Sequence, residues 1–215
     1  MIPELRWFMM CGYAHIVSIE TVRDLLLFVA FQDMVRLHRA YLNTDIMKIA
    51  ITGHKKGIGQ QFATQLGVRG HQIVGISRSD GENIRRVSHT ASLIEPCDMF
   101  INNAKSMYAQ TELLFEVWHR WCETKGKEIW NISTQLCEQD RDYDIPGLTM
   151  RESMQYRNNK MSLELAHRQL EQQRANIRMR LIRPGSVATW EHSPKDAVPA
   201  DQYAEAVLRE QGIIK

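Results

Sequence analysis

Short apolar runs alternate with longer amphipathic stretches from Met47 onward. Each run ends at glycine or polar residues, which is typical of buried strands. Strands that alternate with helical stretches indicate βαβ units, and such units build a parallel sheet with helices on both faces. The pattern therefore predicts an α/β fold, a doubly wound parallel sheet in three layers (αβα). The predicted strands are Lys48–Thr52, Gln72–Ser77, Met99–Asn102, Glu128–Ser133 and Arg178–Ile182, and the predicted helices are residues 58–69, 111–123, 150–173 and 200–211.

The first 46 residues lack this alternation. They hold one predicted helix, Glu20–Tyr41, which is apolar around much of its circumference between Leu25 and Phe31 and so needs a partner surface. Three interpretations stay open: a helix docked on the main domain, an oligomerisation arm, or an upstream extension of a protein that starts naturally at Met47. We favour the third, which leaves the helical extension at residues 1–46 outside the native domain and the α/β domain at residues 47–215.

Composition and charge fit one globular domain with an appendage. The chain has 215 residues, of which 44% are hydrophobic and 24% charged, and its net charge is +2. This balance gives no electrostatic footprint for nucleic acid or for an anionic membrane. The longest strongly apolar run, residues 25–31, is shorter than the roughly 20 residues that cross a bilayer. We expect neither nucleic acid nor a membrane as a partner.

The cysteines and histidines show no spacing typical of a metal or redox site. The four cysteines are scattered and form no C-x-x-C pair, so we expect a reducing, cytoplasmic location in which they act as small buried hydrophobes. The eight histidines are dispersed, and they predict no metal site.

A glycine-rich turn, TGHKKGIG at residues 52–59, joins the first predicted strand to its helix. Gly53 permits a tight turn, Gly57 lets the backbone approach a pyrophosphate, and Gly59 lets the helix pack closely on the strand. The free amides and the dipole at the start of the helix favour phosphate groups. The turn predicts a dinucleotide-binding Rossmann fold in residues 47–215; the alternative is a glycine-rich turn without a ligand.

Tyr156 and Lys160 lie four residues apart on a predicted helix and therefore share one face. A free phenol titrates at about pH 10, which is too high for easy proton exchange at neutral pH. A nearby ammonium stabilises the phenolate and lowers the phenol pKa. The pair is a candidate proton donor and acceptor; the alternative is an exposed helical face without chemistry.

Four motifs, in this order, resemble those of the short-chain dehydrogenase/reductase family: TGxxxGIG at 52–59, NNA at 102–104, NIST at 131–134 and YxxxK at 156–160. The resemblance extends from about Met47 to Thr189 and identifies the chain as a shortened member. It implies an NAD(P)-dependent dehydrogenase/reductase that transfers hydride between a nicotinamide and a small carbonyl or alcohol substrate, with a tyrosine as acid/base. It leaves the quaternary structure open, with a homo-oligomer as one state.

The resemblance implies a role for each matched residue. Thr134, with Ser133 beside it, would orient the substrate carbonyl. Tyr156 would be the acid/base, and Lys160 would hold the nicotinamide ribose and tune that tyrosine. Tyr156 and Lys160 would contact the cofactor together with Gly53, Lys55, Lys56, Gly57, Ile58, Gly59, Ser77, Arg78, Asn102, Asn103, Ala104, Pro184, Gly185 and Thr189.

The end of the second predicted strand bears on the choice of cofactor. NAD-binding chains usually carry an acidic residue there, which holds the ribose 2′-hydroxyl. Here the chain reads Ser77, Arg78 and Ser79, without a carboxylate. Arg78 can make a forked contact with a 2′-phosphate, and Lys56 adds a second cation. The pattern favours NADP(H) over NAD(H); the alternative is that both cations are solvated surface residues.

Three departures from the family pattern weigh against turnover. Lys105 replaces the glycine that follows NNA, and no asparagine lies between Thr111 and Lys127 to supply the family's proton relay. The segment from Arg78 to Asn102 is short, so the family's third strand and its helix are compressed or missing. These departures keep a second hypothesis open, a non-catalytic NAD(P)-binding sensor or scaffold protein.

Overall fold

A central sheet of five parallel strands organises the part of the chain that this computed structural model describes, residues 46–138, 145, 147–189 and 193–214. All five predicted strands are confirmed, each within one residue of its predicted end. The strands are β1 (Lys48–Thr52), β2 (Gln72–Ile76), β3 (Met99–Asn102), β4 (Glu128–Ile132) and β5 (Arg178–Ile182). Their order across the sheet is β2-β1-β3-β4-β5. The predicted helix Glu20–Tyr41 lies outside the described residues, so the interpretation of residues 1–46 stays a prediction.

Strand β1 lies inside the sheet and is apolar on both of its faces. Ile49 and Ile51 belong to one core cluster and Ala50 to the other, and all three are fully buried. Ala50 pairs with Val74 of β2 on one side and with Phe100 of β3 on the other. A parallel strand that is covered on both faces has a continuous apolar sequence, which is why the run KIAI predicted it.

Helices cover both faces of the sheet, so the predicted three-layer αβα fold is confirmed. Two helices pack on one face through residues such as Phe62 and Leu208, and three pack on the other through residues such as Leu113 and Leu163. The first face carries α1 (Gly57–Val68) and α5 (Ala200–Glu210), and the second carries α2 (Val87–Ile94), α3 (Ala109–Trp121) and α4 (Met150–Glu171). No helix in the described residues is long and apolar enough to cross a membrane.

The segment between β2 and β3 is more regular than its polar sequence predicted. It contains a 3₁₀ helix, Arg78–Asp80, and the short helix α2. Only Thr90, Ala91 and Ile94 of α2 are buried, so this helix depends on tertiary packing that the sequence pattern does not reveal. In the described residues no strand lies between β2 and β3, and the helix there, α2, has 8 residues, so this segment is compressed.

The strand order creates a crevice at the carboxyl edge of the sheet. The chain leaves β1 toward β2 on one side and later returns to β3 on the other side of β1. The loops that follow β1 and β3 therefore diverge, and ligands of doubly wound folds bind in the gap that results. After β5, a small parallel ribbon, β6 (Val187–Ala188) and β7 (Val198–Pro199), leads into α5.

Candidate active site

The glycine turn between β1 and α1 forms a cradle with no room for side chains. Gly53 and Gly57 adopt left-handed φ values of 72° and 56°, which favour glycine. A Cβ on Gly57 would lie 3.1 Å from the Cβ of Thr189. A Cβ on Gly59 would lie 2.5 Å from the carbonyl oxygen of Gly53 and 2.5 Å from Asn103 Nδ2. No side chain caps the start of α1, so amides of its first turn are available to an anion.

Thr52 ties this turn to the loop that follows β3. Its buried Oγ1 accepts hydrogen bonds from the amides of Asn103 and Ala104, each at 2.9 Å. Asn103 Nδ2 donates in return to the Thr52 carbonyl oxygen at 2.9 Å. These bonds hold the NNA segment against the glycine turn, so two of the predicted motifs are brought together at the crevice.

Two cavities lie at this edge of the sheet. The one that contains the tyrosine of the YxxxK motif is called the Tyr156 cavity, and the other is called the Arg78 cavity. The Tyr156 cavity is lined by Ile58, Asn103, Lys105, Ile132, Ser133, Thr134, Tyr156, Lys160, Pro184, Gly185, Val187 and Thr189. The Arg78 cavity is lined by Gly53, Lys55, Lys56, Ile76, Ser77, Arg78, Ser79, Glu82, Asn83, Ile84, Ala104 and Lys105.

The structure thus brings most of the predicted site residues to one of two neighbouring cavities. Gly57, Gly59 and Asn102 are the predicted residues that line neither. The two glycines shape the cradle beside the cavities, whereas the Asn102 side chain points into the protein interior, where Nδ2 donates to the carbonyl oxygen of Gln110 and to Asn131 Oδ1, both at 3.0 Å. Its side chain therefore supports the scaffold.

Lys160 is buried and held by groups of the protein. Its Nζ donates to the Ile132 carbonyl oxygen at 2.7 Å and to Gln110 Oε1 at 2.9 Å. Gln110 Nε2 in turn donates to the Asn102 carbonyl oxygen at 2.6 Å. Burial lowers the pKa of Lys160 to about 7, because a charged amine loses its hydration there. The amine therefore gains and loses its proton near neutral pH.

The phenol of Tyr156 has a raised pKa, so the predicted lowering is wrong. Burial raises this pKa, and a hydrogen bond with the Thr134 side chain lowers it by a smaller amount. Lys160 Nζ lies 5.9 Å from the centre of the Tyr156 ring, and its hydrogen bonds go to Ile132 and Gln110. Helical spacing placed the two residues on one face but did not reveal how strongly both are desolvated.

The two hydroxyls after β4 have different partners. Ser133 Oγ donates to Glu164 Oε1 at 2.6 Å, and Arg183 binds both oxygens of the same carboxylate at 2.9 Å. Burial raises the pKa of Glu164, but the hydrogen bonds from Arg183 and Ser133 bring it below its ordinary value. The Ser133 hydroxyl therefore donates its proton in a hydrogen bond to an ionised carboxylate. Thr134 is the hydroxyl that contacts Tyr156.

The Arg78 cavity is electropositive at its rim. Nearby, the Asp80 carboxylate pairs with Lys55 at 3.1 Å and lies 3.4 Å from His54 Nε2. The Glu82 carboxylate, which lines the cavity, lies 2.9 Å from His89 Nε2. Arg78 is exposed, and in the described part of the chain neither Arg78 nor Lys56 forms an ion pair. Two cations therefore remain available to a ligand at the end of β2.

Solved structures of short-chain dehydrogenases share this architecture. A short-chain dehydrogenase from Burkholderia cenocepacia in complex with NADP has a TM-score of 0.59 and 16% identity, with 79% of this chain and 85% of that chain covered. The bulky-bulky ketone specific alcohol dehydrogenase from Comamonas testosteroni has a TM-score of 0.60 and 16% identity, with 78% and 83% covered. The chain has the short-chain dehydrogenase fold.

A third structure with this fold holds the other nicotinamide cofactor. The 3-alpha-hydroxysteroid dehydrogenase from Pseudomonas, complexed with NADH, has a TM-score of 0.55 and 16% identity, with 74% of this chain and 87% of that chain covered. No family model matches the sequence, and no curated relative matches it. Within the short-chain dehydrogenase fold, the described residues contain no cluster of side chains that could hold a metal ion.

Two residues of the site, Gln110 and Glu164, are not predicted by the sequence pattern. Gln110 lies one position before the predicted helix 111–123, whereas α3 begins at Ala109. The residue type expected in this helix was asparagine, not glutamine. The burial of Gln110 is known only from the structure, so no sequence signal marked it. Glu164 lies one turn beyond Lys160 on α4, and nothing in its sequence context indicated burial. Both residues gain their roles from contacts with distant parts of the chain.

Proposed function

We propose that the protein is an NADP(H)-dependent oxidoreductase of the short-chain dehydrogenase/reductase family, which transfers hydride between the nicotinamide and the carbon of a carbonyl or alcohol. The observation that carries this proposal is the Tyr156 cavity, where Tyr156, Thr134 and Lys160 line one space beside the glycine cradle. A half-buried phenol, a hydroxyl bonded to it and an amine whose pKa is about 7 form an acid/base set.

Three structural features of the crevice support the binding of a dinucleotide. The cradle at Gly57 and Gly59 lets backbone approach a diphosphate where any side chain would collide. The uncapped start of α1 offers amides and a positive dipole to the same group. The Arg78 and Tyr156 cavities on either side give space for the adenosine and nicotinamide ends, with Thr189 and the Pro184–Gly185 segment lining the latter.

The bound nicotinamide would supply the hydride, and the protein would orient it and handle the proton. In the direction of reduction, the Tyr156 hydroxyl would donate its proton to the carbonyl oxygen. The Thr134 hydroxyl would hold that oxygen, because it already lies beside Tyr156 while Ser133 serves Glu164. Lys160, whose amine titrates near pH 7, would act as the local proton store.

The preference for NADP(H) rests on the rim of the Arg78 cavity. Arg78 and Lys56 are cations that a 2′-phosphate can engage. The only carboxylate on the 3₁₀ helix Arg78–Asp80 is Asp80, whose charge Lys55 compensates. Four cations and one carboxylate, Glu82, line the cavity, which supports a bound 2′-phosphate and therefore NADP(H) over NAD(H).

Reduction of a panel of aldehydes and ketones by NADPH tests the proposal, with Tyr156→Phe as the decisive variant. Wild type is expected to oxidise NADPH in the presence of at least one carbonyl. Tyr156→Phe is expected to keep NADPH binding within about threefold while kcat falls by about 10² to 10⁴, the usual worth of a general acid. Tyr108→Phe is the matched control, because Tyr108 is 47% exposed and lines neither cavity. Tight NADPH binding without turnover on any carbonyl would favour the sensor hypothesis instead.

A further inference from the structure

Lys105 stands where the family resemblance places a glycine, directly after the NNA segment at the end of β3. Its side chain lines both the Tyr156 cavity and the Arg78 cavity. Its Nζ lies 4.5 Å from the centre of the Tyr156 ring, closer than Lys160 Nζ at 5.9 Å. The departure from the family pattern therefore places a cation at the proposed reaction centre.

Within the part of the chain that the structure describes, no carboxylate forms an ion pair with this cation. In the described residues Lys105 forms no ion pair within 4.0 Å, and none of the residues that line the Tyr156 cavity is acidic. Glu152 acts on Lys105 from a distance, but its Oε2 accepts hydrogen bonds from the amide and the hydroxyl of Thr149, at 2.9 and 2.7 Å, and so caps α4.

The other cation of the Tyr156 cavity is already engaged. Lys160 donates to Ile132 and Gln110, which leaves Lys105 as the amine that can turn toward a ligand. Lys105 is exposed, and the burial of part of its side chain lowers its pKa. An anionic oxygen in this cavity would gain a charge-assisted hydrogen bond from its ammonium.

We propose that Lys105 is the binding residue for an anionic group in the assembled active site, and that this group is the carboxylate of an oxo-acid or hydroxy-acid substrate. The proposal rests on the proposed function. The ammonium lies over the Tyr156 ring, at the reacting end of the crevice, which favours the substrate as the source of the anion. The same chemistry is carried by the diphosphate of the dinucleotide, so the experiment separates these two sources.

The test uses full-length wild type and three variants. Lys105→Met removes the charge at nearly constant length, Lys105→Arg keeps the charge, and Lys125→Met removes an exposed charge outside both cavities as the control. Dinucleotide affinity is measured by fluorescence titration with NADPH and with NADH. Substrate recognition is measured with 2-, 3- and 4-oxo acids and their methyl esters, as kcat/KM with NADPH and as binding to the enzyme–NADPH complex.

Loss of the substrate contact is expected to lower the acid-to-ester ratio of kcat/KM by about tenfold or more in Lys105→Met. Lys105→Arg should retain most of the ratio and Lys125→Met all of it. Equal weakening of NADPH and NADH by about tenfold, with an unchanged ratio, would also support an anion site but assign it to the diphosphate.

Two further outcomes separate this inference from the proposed function. If wild type binds NADPH and reduces carbonyls, and Lys105→Met changes neither the affinities nor the ratio by more than about twofold, the role of Lys105 is overturned and the function stands. If wild type binds NADPH but reduces nothing, the proposed function fails, and the affinities for dinucleotide and oxo acid still decide on Lys105. A wild type that binds no dinucleotide overturns both.

Discussion

The two cavities at the carboxyl edge of the sheet differ in whether backbone or side-chain groups shape them. The Arg78 cavity adjoins a cradle made of backbone, where three glycines in TGHKKGIG exclude side chains and leave amides exposed. The Tyr156 cavity is made largely of side chains, where Gln110 holds the buried Lys160 and Thr134 contacts Tyr156. One half of the site is specified by steric exclusion within a short stretch of sequence, the other by polar contacts between residues 50 positions apart.

This difference determines how substitutions in each half of the site affect the protein. The backbone half tolerates no added volume, because a methyl group would collide with main-chain atoms that cannot move independently. The side-chain half tolerates small changes of shape but not an unpaired buried donor, because a stranded ammonium keeps its desolvation cost without its hydrogen bond. Substitutions in the two halves should therefore have distinct signatures, the first in ligand binding and the second in turnover and pH dependence.

The largest effect is expected from Gly59→Ala. Its Cβ would lie 2.5 Å from the Gly53 oxygen and from Asn103 Nδ2, so the cradle must deform. We expect dinucleotide affinity to fall by about 100-fold or more and the free energy of unfolding to fall by about 1–3 kcal/mol. Nicotinamide fluorescence and urea denaturation measure the two quantities.

Gly67→Ala is the control for that substitution in the same helix. A Cβ there would lie 3.7 Å from Ile73 Cγ1, an ordinary contact, and alanine favours helix over glycine by about 1 kcal/mol. This variant should bind the dinucleotide as wild type does and be equally or more stable. Similar losses in both variants would show that α1 as a whole, rather than the cradle, is sensitive.

The next largest effect on the site is expected from Gln110→Leu. It removes the oxygen that Lys160 Nζ binds at 2.9 Å and leaves a buried amine with one acceptor fewer. We expect a loss of about 1–3 kcal/mol in unfolding free energy and a fall in kcat of about tenfold or more, with little change in dinucleotide affinity. Gln169→Leu on the exposed face of α4 is the control. A normal kcat in Gln110→Leu would show that Gln110 does not support turnover.

Arg78→Ala should act on the choice of cofactor. If Arg78 binds the 2′-phosphate, its removal should weaken NADPH by about tenfold more than NADH, because only the former carries that group. Lys125→Ala, which removes an exposed charge remote from the crevice, controls for net charge. Equal weakening of both dinucleotides would contradict the assignment of the 2′-phosphate site.

Lys160 is also expected to make the stability of the protein depend on pH. The pKa of this amine is about 7 in the folded protein against 10.5 ordinarily, so the unfolded chain binds more protons between these values. The free energy of unfolding of wild type should therefore rise, relative to Lys160→Met, as the pH increases from about 7 to about 10, by at most about 1.4 kcal/mol per unit. Chemical denaturation across this range measures the difference. A difference that stays constant with pH would contradict the lowered pKa.

The features that the sequence predicts are local, whereas those that it does not predict depend on contacts between distant residues. The five strands, the glycine turn and the helical spacing of Tyr156 and Lys160 are local patterns, and the structure contains all of them. The roles of Gln110 and Glu164 depend on contacts across the fold, so no local pattern marks them. The raised pKa of Tyr156 likewise follows from burial, which spacing alone does not give. Helix α2 was missed because few of its residues are buried.

A crystal structure of the protein soaked with NADPH shows directly whether and where the dinucleotide binds. We expect the diphosphate against the amides at the start of α1, the 2′-phosphate beside Arg78 and the nicotinamide in the Tyr156 cavity, within reach of the phenol. A crevice that stays empty at saturating NADPH, or a dinucleotide bound elsewhere on the protein, would contradict it.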